Sequence, residues 1–189
     1  MEMFEYVAVL TSIIIGLGIT HLLQGLARLI QRPGHERVYW VHLTWVFFTF
    51  FYAVFWWWFE FRLGTVDVWT FQLYLFLVLY AVVIYLECAL LFPPSLADYD
   101  GFKEYFYSRR AWFFGLWALI MVLDIGDSWF KGAEHFSSLG PEYLVQQVTA
   151  LALFAVAART RNERFHAALV VFLLVGQLAW ALRFFETVE

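Results

Sequence analysis

The stretch ITHLLQGLARLIQRPGHERVYWVHLTW, Ile19 to Trp45, decides the fold. An apolar run enters it, breaks at Pro33-Gly34, and a second apolar run leaves it. Proline lacks an N–H and glycine frees the backbone, so the pair ends a helix. Arg28, Arg32, His35, Glu36 and Arg37 crowd around the break. Two oily segments of about 20 residues joined by a short basic turn form a hairpin that crosses a bilayer twice.

The same grammar extends over the whole chain. Of 189 residues, 63% are hydrophobic and 15% charged, and the mean hydropathy is +0.69. A soluble domain carries roughly 25% charged residues and could not cover so apolar a surface. The apolar runs are long and continuous, where a β-barrel would show short alternating segments. Six spans are predicted, over about residues 4–30, 38–60, 69–92, 111–130, 142–159 and 164–185. The expectation is an all-α integral membrane protein, one transmembrane domain over residues 1–189. The amino terminus has Glu2 and Glu5 but no Lys or Arg before its apolar run, unlike a cleaved signal peptide, so the first span is expected to be retained. Cys88 is the only cysteine, which leaves no intrachain disulfide and no Cys-based metal cluster.

Charge sets the orientation. Arg28, Arg32 and Arg37 flank the first connection, Lys103, Arg109 and Arg110 the third, and Arg159, Arg161 and Arg164 the fifth. Only Arg62, Lys131 and Arg183 remain for the other side, out of 12 basic residues. The positive-inside rule then places the odd-numbered connections in the cytoplasm and both termini in the periplasm. In the third connection, ADYDGFKEYFYSRRAWFF, the rings of Phe102, Tyr105, Phe106, Trp112 and Phe113 fall on one helical face. This predicts a short interfacial segment before the fourth span. LARLIQRPGHERV and VAARTRNERF echo each other ahead of the second and sixth spans, a hint of repeated helical hairpins.

Polar residues inside the spans fall on narrow stripes. The first span aligns Thr11, Gly18, His21, Gln24, Gly25 and Arg28, small residues among them permitting close helix approach. The second aligns His42, Thr49 and Glu60, and the third Gln72, Tyr80 and Glu87. The fourth presents Asp124, Asp127, Ser128 and Lys131, and the sixth His166 and Gln177. By depth, His21, His42, Glu87 and His166 gather toward the basic end, and Glu60, Gln72, Asp124, Asp127, Gln146 and Gln177 toward the other. An ionised acid at a helix centre costs about 2.5–3.5 kcal/mol, so Glu87 and Asp124 need a reason to be there. The ordinary readings are a headgroup-level position for His42 and His166, a solvated i, i+4 pair for Asp127 and Lys131, and a wet helix end for Glu60. Trp56-Trp57-Trp58 reads as an interfacial anchor.

No Walker-type, HExxH or GxSxG motif is present, and Lys103 and Lys131 are the only lysines. Neither lysine sits near a span centre, and no selectivity-filter sequence appears. The basic residues flank the spans and suit anionic lipid rather than nucleic acid. Three readings remain. The first is a small channel or proton-coupled transporter using His21, Gln24, Glu87, Asp124, Asp127 and Gln177. The second is a non-catalytic partner subunit or sensor, as a homo-oligomer or within a larger membrane complex. The third is a redox protein holding a b-type haem or a transition metal between His21 and His42 or His166; the first two expect no cofactor. The ITHLLQGLARL pattern of the first span and SRRAWFFGLW opening the fourth resemble uncharacterised small polytopic membrane proteins of bacteria. That resemblance implies a bacterial inner membrane and no activity.

Overall fold

Pro33 and Gly34 act as the sequence demands: the first helix stops at Gln31, and Gly34 turns the chain with φ of +79°. The computed structural model describes residues 3–65, 69–132, 136–137 and 139–184. Met1, Glu2 and residues 185–189, including the expected end of the sixth span at 185, lie outside the described residues.

Six long helices follow one another: α1 Met3–Gln31, α2 Trp40–Phe59, α3 Phe71–Leu91, α4 Phe102–Phe130, α5 Gly140–Arg159 and α6 Glu163–Phe184. A 3-10 turn over Glu60–Thr65 continues α2. No strand occurs among the described residues. Local chemistry fixes the helix ends. The Thr70 hydroxyl accepts from Leu73 N–H to cap α3, Pro141 sits in the first turn of α5, and the Asn162 carboxamide accepts from Arg164 and Phe165 N–H to start α6. All six helices are long and apolar enough to cross a membrane. The chain has the build of a multi-pass membrane protein.

The segment before the fourth span is no separate interfacial element. It is the first part of α4, which runs unbroken for 29 residues. Phe102, Tyr105, Phe106 and Phe113 are buried against the bundle, so the face expected to lie on the membrane surface packs inward. Trp112 falls off that face and is exposed.

Helices α2, α3 and α4 form the middle of the bundle. α1 packs on α3, α5 on α4, and α6 on α2. Trp45 and Trp117 lie at the centre, fully buried, their rings 6.2 Å apart and surrounded by Phe48, Phe113, Phe114 and Phe154. Glycines let α1 approach α3 closely: a Cβ on Gly25 would run into the Phe92 ring, and one on Gly18 would stand 3.2 Å from Cys88 Sγ. The outward faces carry exposed Val9, Ile13, Leu17, Leu79, Phe172 and Val175, as lipid contact requires.

Candidate functional site

At the basic end, Pro93-Pro94 stops α3 and leaves its last carbonyls without helical donors. Three other helices supply them. Tyr105 of α4 donates to Leu90 O at 2.7 Å, His42 of α2 to Leu91 O at 2.7 Å, and His21 of α1 to Phe92 O at 2.9 Å. His42 is also stacked on Phe102, centroids 4.5 Å apart, with Phe92 edge-on at 5.4 Å. His166 is fully buried among Phe106, Tyr107 and Phe114 and donates to Thr160 O at 3.0 Å, closing the turn between α5 and α6. His42 and His166 keep the helix-end positions expected of them, but their rings are buried, each bonded to a backbone carbonyl. With every Nε2 spent on a carbonyl, only Nδ1 is left for ligating a haem or metal, and in His42 and His166 that atom is buried.

At the opposite end, Asp124 is the hub of a hydrogen-bond network. Its Oδ2 accepts from Tyr143 OH at 2.7 Å and Gln147 Nε2 at 2.6 Å, and its Oδ1 from Tyr80 OH at 3.3 Å. Once Tyr80 and Tyr143 donate inward, Tyr52 must donate to Tyr80 at 2.8 Å and Ser128 to Tyr143 at 3.0 Å. One helical turn on, Lys131 Nζ bridges Asp127 Oδ2 at 2.6 Å and Glu60 Oε1 at 3.1 Å. None of these three side chains is more than 10% exposed. This corrects the solvated-pair reading of Asp127 and Lys131 and the wet-end reading of Glu60. Glu60, arriving from the end of α2, completes this buried cluster. Glu60 and Lys131 stand just past the ends of their spans. Burial, helped by the Asp127 charge, pushes the Glu60 carboxyl up to about 8 against the pull of Lys131. Burial opposes the Lys131 ammonium, but the charges and hydrogen bonds of Glu60 and Asp127 outweigh it and raise its pKa.

Glu87 lies between the two ends. It is fully buried, and both its oxygens lack a hydrogen-bond partner among the described residues. Helical register gives its level. Tyr52, Tyr80 and Asp124 are linked by hydrogen bonds across α2, α3 and α4. Seven residues toward the basic end, about 10 Å, carry these positions to Trp45, Glu87 and Trp117. The Nε1 atoms of Trp45 and Trp117 and the Oγ1 of Thr49, one turn from Tyr52, are likewise buried without a partner. The polar side chains thus form a seam in separate levels: the Lys131 triad, then Asp124 with Tyr80 and Tyr52, then, about 10 Å on by helical register, Glu87.

Of the predicted site residues, Asp124 and Asp127 belong to this seam, Glu87 lies on it, and His21 marks its basic end. Gln177 is part-buried with its Oε1 unpartnered. Gln24, Gln72 and Gln146 are exposed and join nothing in the seam. Gln147 takes the place expected of Gln146, and Tyr143, Tyr52 and Tyr105 were not foreseen. Tyr143 and Gln147 are four residues apart on α5, the spacing that could have revealed them. Trp56 does not anchor at the interface: it is buried edge-on to Tyr80 at 5.1 Å, while Trp57 and Trp58 are exposed. No group of three or more potential metal ligands occurs among the described residues. No protein-family model, curated protein or solved structure matches this chain.

Proposed function

We propose that this multi-pass protein moves protons, alone or coupled to a second solute, along the seam between α2, α3 and α4. The observation that carries the reading is Glu87, a fully buried carboxyl with neither a donor nor a counter-ion on either oxygen. An ionised carboxylate there would cost several kcal/mol, so a purely structural Glu87 would be a standing penalty. Trp45 Nε1, Trp117 Nε1 and Thr49 Oγ1 are buried polar atoms of the kind that internal water satisfies, and by helical register their residues stand at or between the levels of Glu87 and Tyr52. In this reading Glu87 relays protons between that level and the hydroxyls around Asp124. The basic connections face the cytoplasm of a bacterial inner membrane, and both termini the periplasm.

The deciding experiment is reconstitution in liposomes with an internal pH-sensitive dye and an imposed pH gradient. Wild type should dissipate the gradient, and Glu87→Gln should do so at the rate of empty liposomes while remaining folded. Equal rates for both proteins and for empty liposomes would reject the proton path.

A second reading, a membrane partner subunit, draws on one observation. Ala168, Phe172, Val175, Gly176 and Ala179 form a shallow apolar groove along the outer face of α6, a surface on which another helix could pack closely. Silent liposomes would shift the weight to that reading.

A further inference from the structure

The connections at the basic end flank an open cavity that the proton path does not use. It has a volume of about 630 Å³ and lies between the last turn of α1 and the loop from Pro94 to Gly101. Its walls are held together by backbone. Phe102 N–H donates to Arg37 O at 3.0 Å, and the Arg37 guanidinium pairs with Asp100 at 2.6 Å. Gly101, with φ of +115°, allows the approach: a Cβ there would fall 2.8 Å from Arg37 O. The first and third connections are therefore clasped, and the hollow between them is a built feature.

Arg28 and Arg32 line this cavity on successive turns of one face, with His35 beside them. Both arginines are exposed, and no ion pair or hydrogen bond engages either guanidinium among the described residues. Of the two acids in the lining, Asp100 is already neutralised by Arg37, which leaves Glu36 against two free guanidinium groups. Leu29, Pro94 and Leu96 supply apolar surface below them. The site stands beside the ends of α1 and α3 and the start of α4, three helices long and apolar enough to cross a membrane.

We infer that this cavity binds a phosphate ester through Arg28 and Arg32. Planar guanidinium groups take phosphate oxygens in pairs, which free lysines do not. A cavity of this size holds a headgroup-sized ligand. Its location makes the headgroup of an anionic lipid the first source and a water-soluble phosphate ester the second. The inference is independent of the proton path, since none of these residues belongs to the seam.

The test uses the full chain in a neutral detergent with three probes: short-chain phosphatidylglycerol, short-chain phosphatidylcholine and glycerol phosphate. Binding is read by retained mass in native mass spectrometry. Phosphatidylglycerol should be retained over phosphatidylcholine, and Arg28→Gln with Arg32→Gln should weaken it by about 30-fold. The control removes the same charge at the same end, Arg161→Gln with Arg164→Gln, and should leave retention unchanged. Glycerol phosphate binding alone, lost in the first variant, would support the site and assign it to a soluble ester. Equal losses in both variants, or equal retention of the two lipids with no glycerol phosphate bound, would overturn the inference.

Discussion

Replacing Lys131 by Met tests the buried triad most directly. The methionine keeps most of the apolar stem and removes the ammonium that sits 2.6 Å from Asp127 and 3.1 Å from Glu60. All three side chains are at most 10% exposed, so water cannot take over from the lost cation. Breaking a buried ion pair by deleting one partner costs about 3–5 kcal/mol, because a charge is left without compensation. For a chain of this size that is on the order of 10 °C in midpoint temperature. The remaining carboxylates can escape by taking up protons, which costs about 1.4 kcal/mol for each pH unit above their own values. The loss should therefore shrink at pH 5 and reach its full size near pH 8. Adding Asp127→Asn and Glu60→Gln to Lys131→Met should recover most of it at every pH. Thermal unfolding in detergent across that range reads all three outcomes. A single variant that unfolds within a degree or two of wild type at pH 8 would refute the reasoning, as would a triple variant no better than the single one.

The same site predicts the pH dependence of the wild type. Glu60 binds its proton more tightly folded than unfolded, so stability should fall as pH rises from about 5 to 8, by at most about 1.4 kcal/mol per unit, and Glu60→Gln should flatten that slope in the same melts. Gly25→Ala should cost about 1–3 kcal/mol through its clash with the Phe92 ring, and trimming Phe92 to Leu should return part of it; an unchanged melt for Gly25→Ala would count against the close approach of α1 to α3. His42→Ala should cost about 2–5 kcal/mol, since it strips Leu91 O of its donor and leaves a hole beside Phe102, whereas the half-buried His21→Ala should cost less; the reverse order in thermal unfolding would contradict the capping role.

The spans were legible because their signals are local. Pro33-Gly34, Pro93-Pro94 and Gly140-Pro141 punctuate long apolar runs, and the structure ends its helices within a few residues of them. The sorting of His21, His42 and His166 to one end with Glu87 nearest them, and of Glu60, Asp124 and Asp127 to the other, also came from position along the helices alone. What the sequence hid depends on phase around a helix axis or on a partner far along the chain. Gln146 and Gln147 differ by one residue, about 100° of rotation, and only packing against α4 says which one turns inward. The start of α4 shows an amphipathic face that suits a membrane surface equally well; the presence of α3 carbonyls needing Tyr105 decides otherwise. His21 and His42 were readable as costly residues, but their task belongs to Phe92 and Leu91, some 50 to 70 residues away in the chain.

The two acids at the heart of the seam should respond differently to neutralisation, and this decides how a flux experiment is weighed. Asp124 accepts three hydrogen bonds, two on one oxygen and one on the other, and every donor is itself held by a neighbour or a helix. An asparagine must place its NH2 group against either Tyr80 or the Tyr143 and Gln147 pair. Turned toward Gln147, donor meets donor; turned toward Tyr80, the hydroxyl must swing to accept and reverse its bond with Tyr52, and a buried group left unsatisfied by either change costs about 1–3 kcal/mol. Loss of flux in Asp124→Asn could therefore come from a rearranged network. Glu87 carries no such partners: its oxygens face no donor among the described residues, so a glutamine of the same shape breaks nothing that the structure contains. Glu87→Gln should melt at or slightly above the wild-type temperature. Silent liposomes with an intact melt can then be assigned to the missing proton site alone. A Glu87→Gln protein that is both silent and several degrees less stable would mean that the carboxyl holds the helices together, and the proton path would lose its main support.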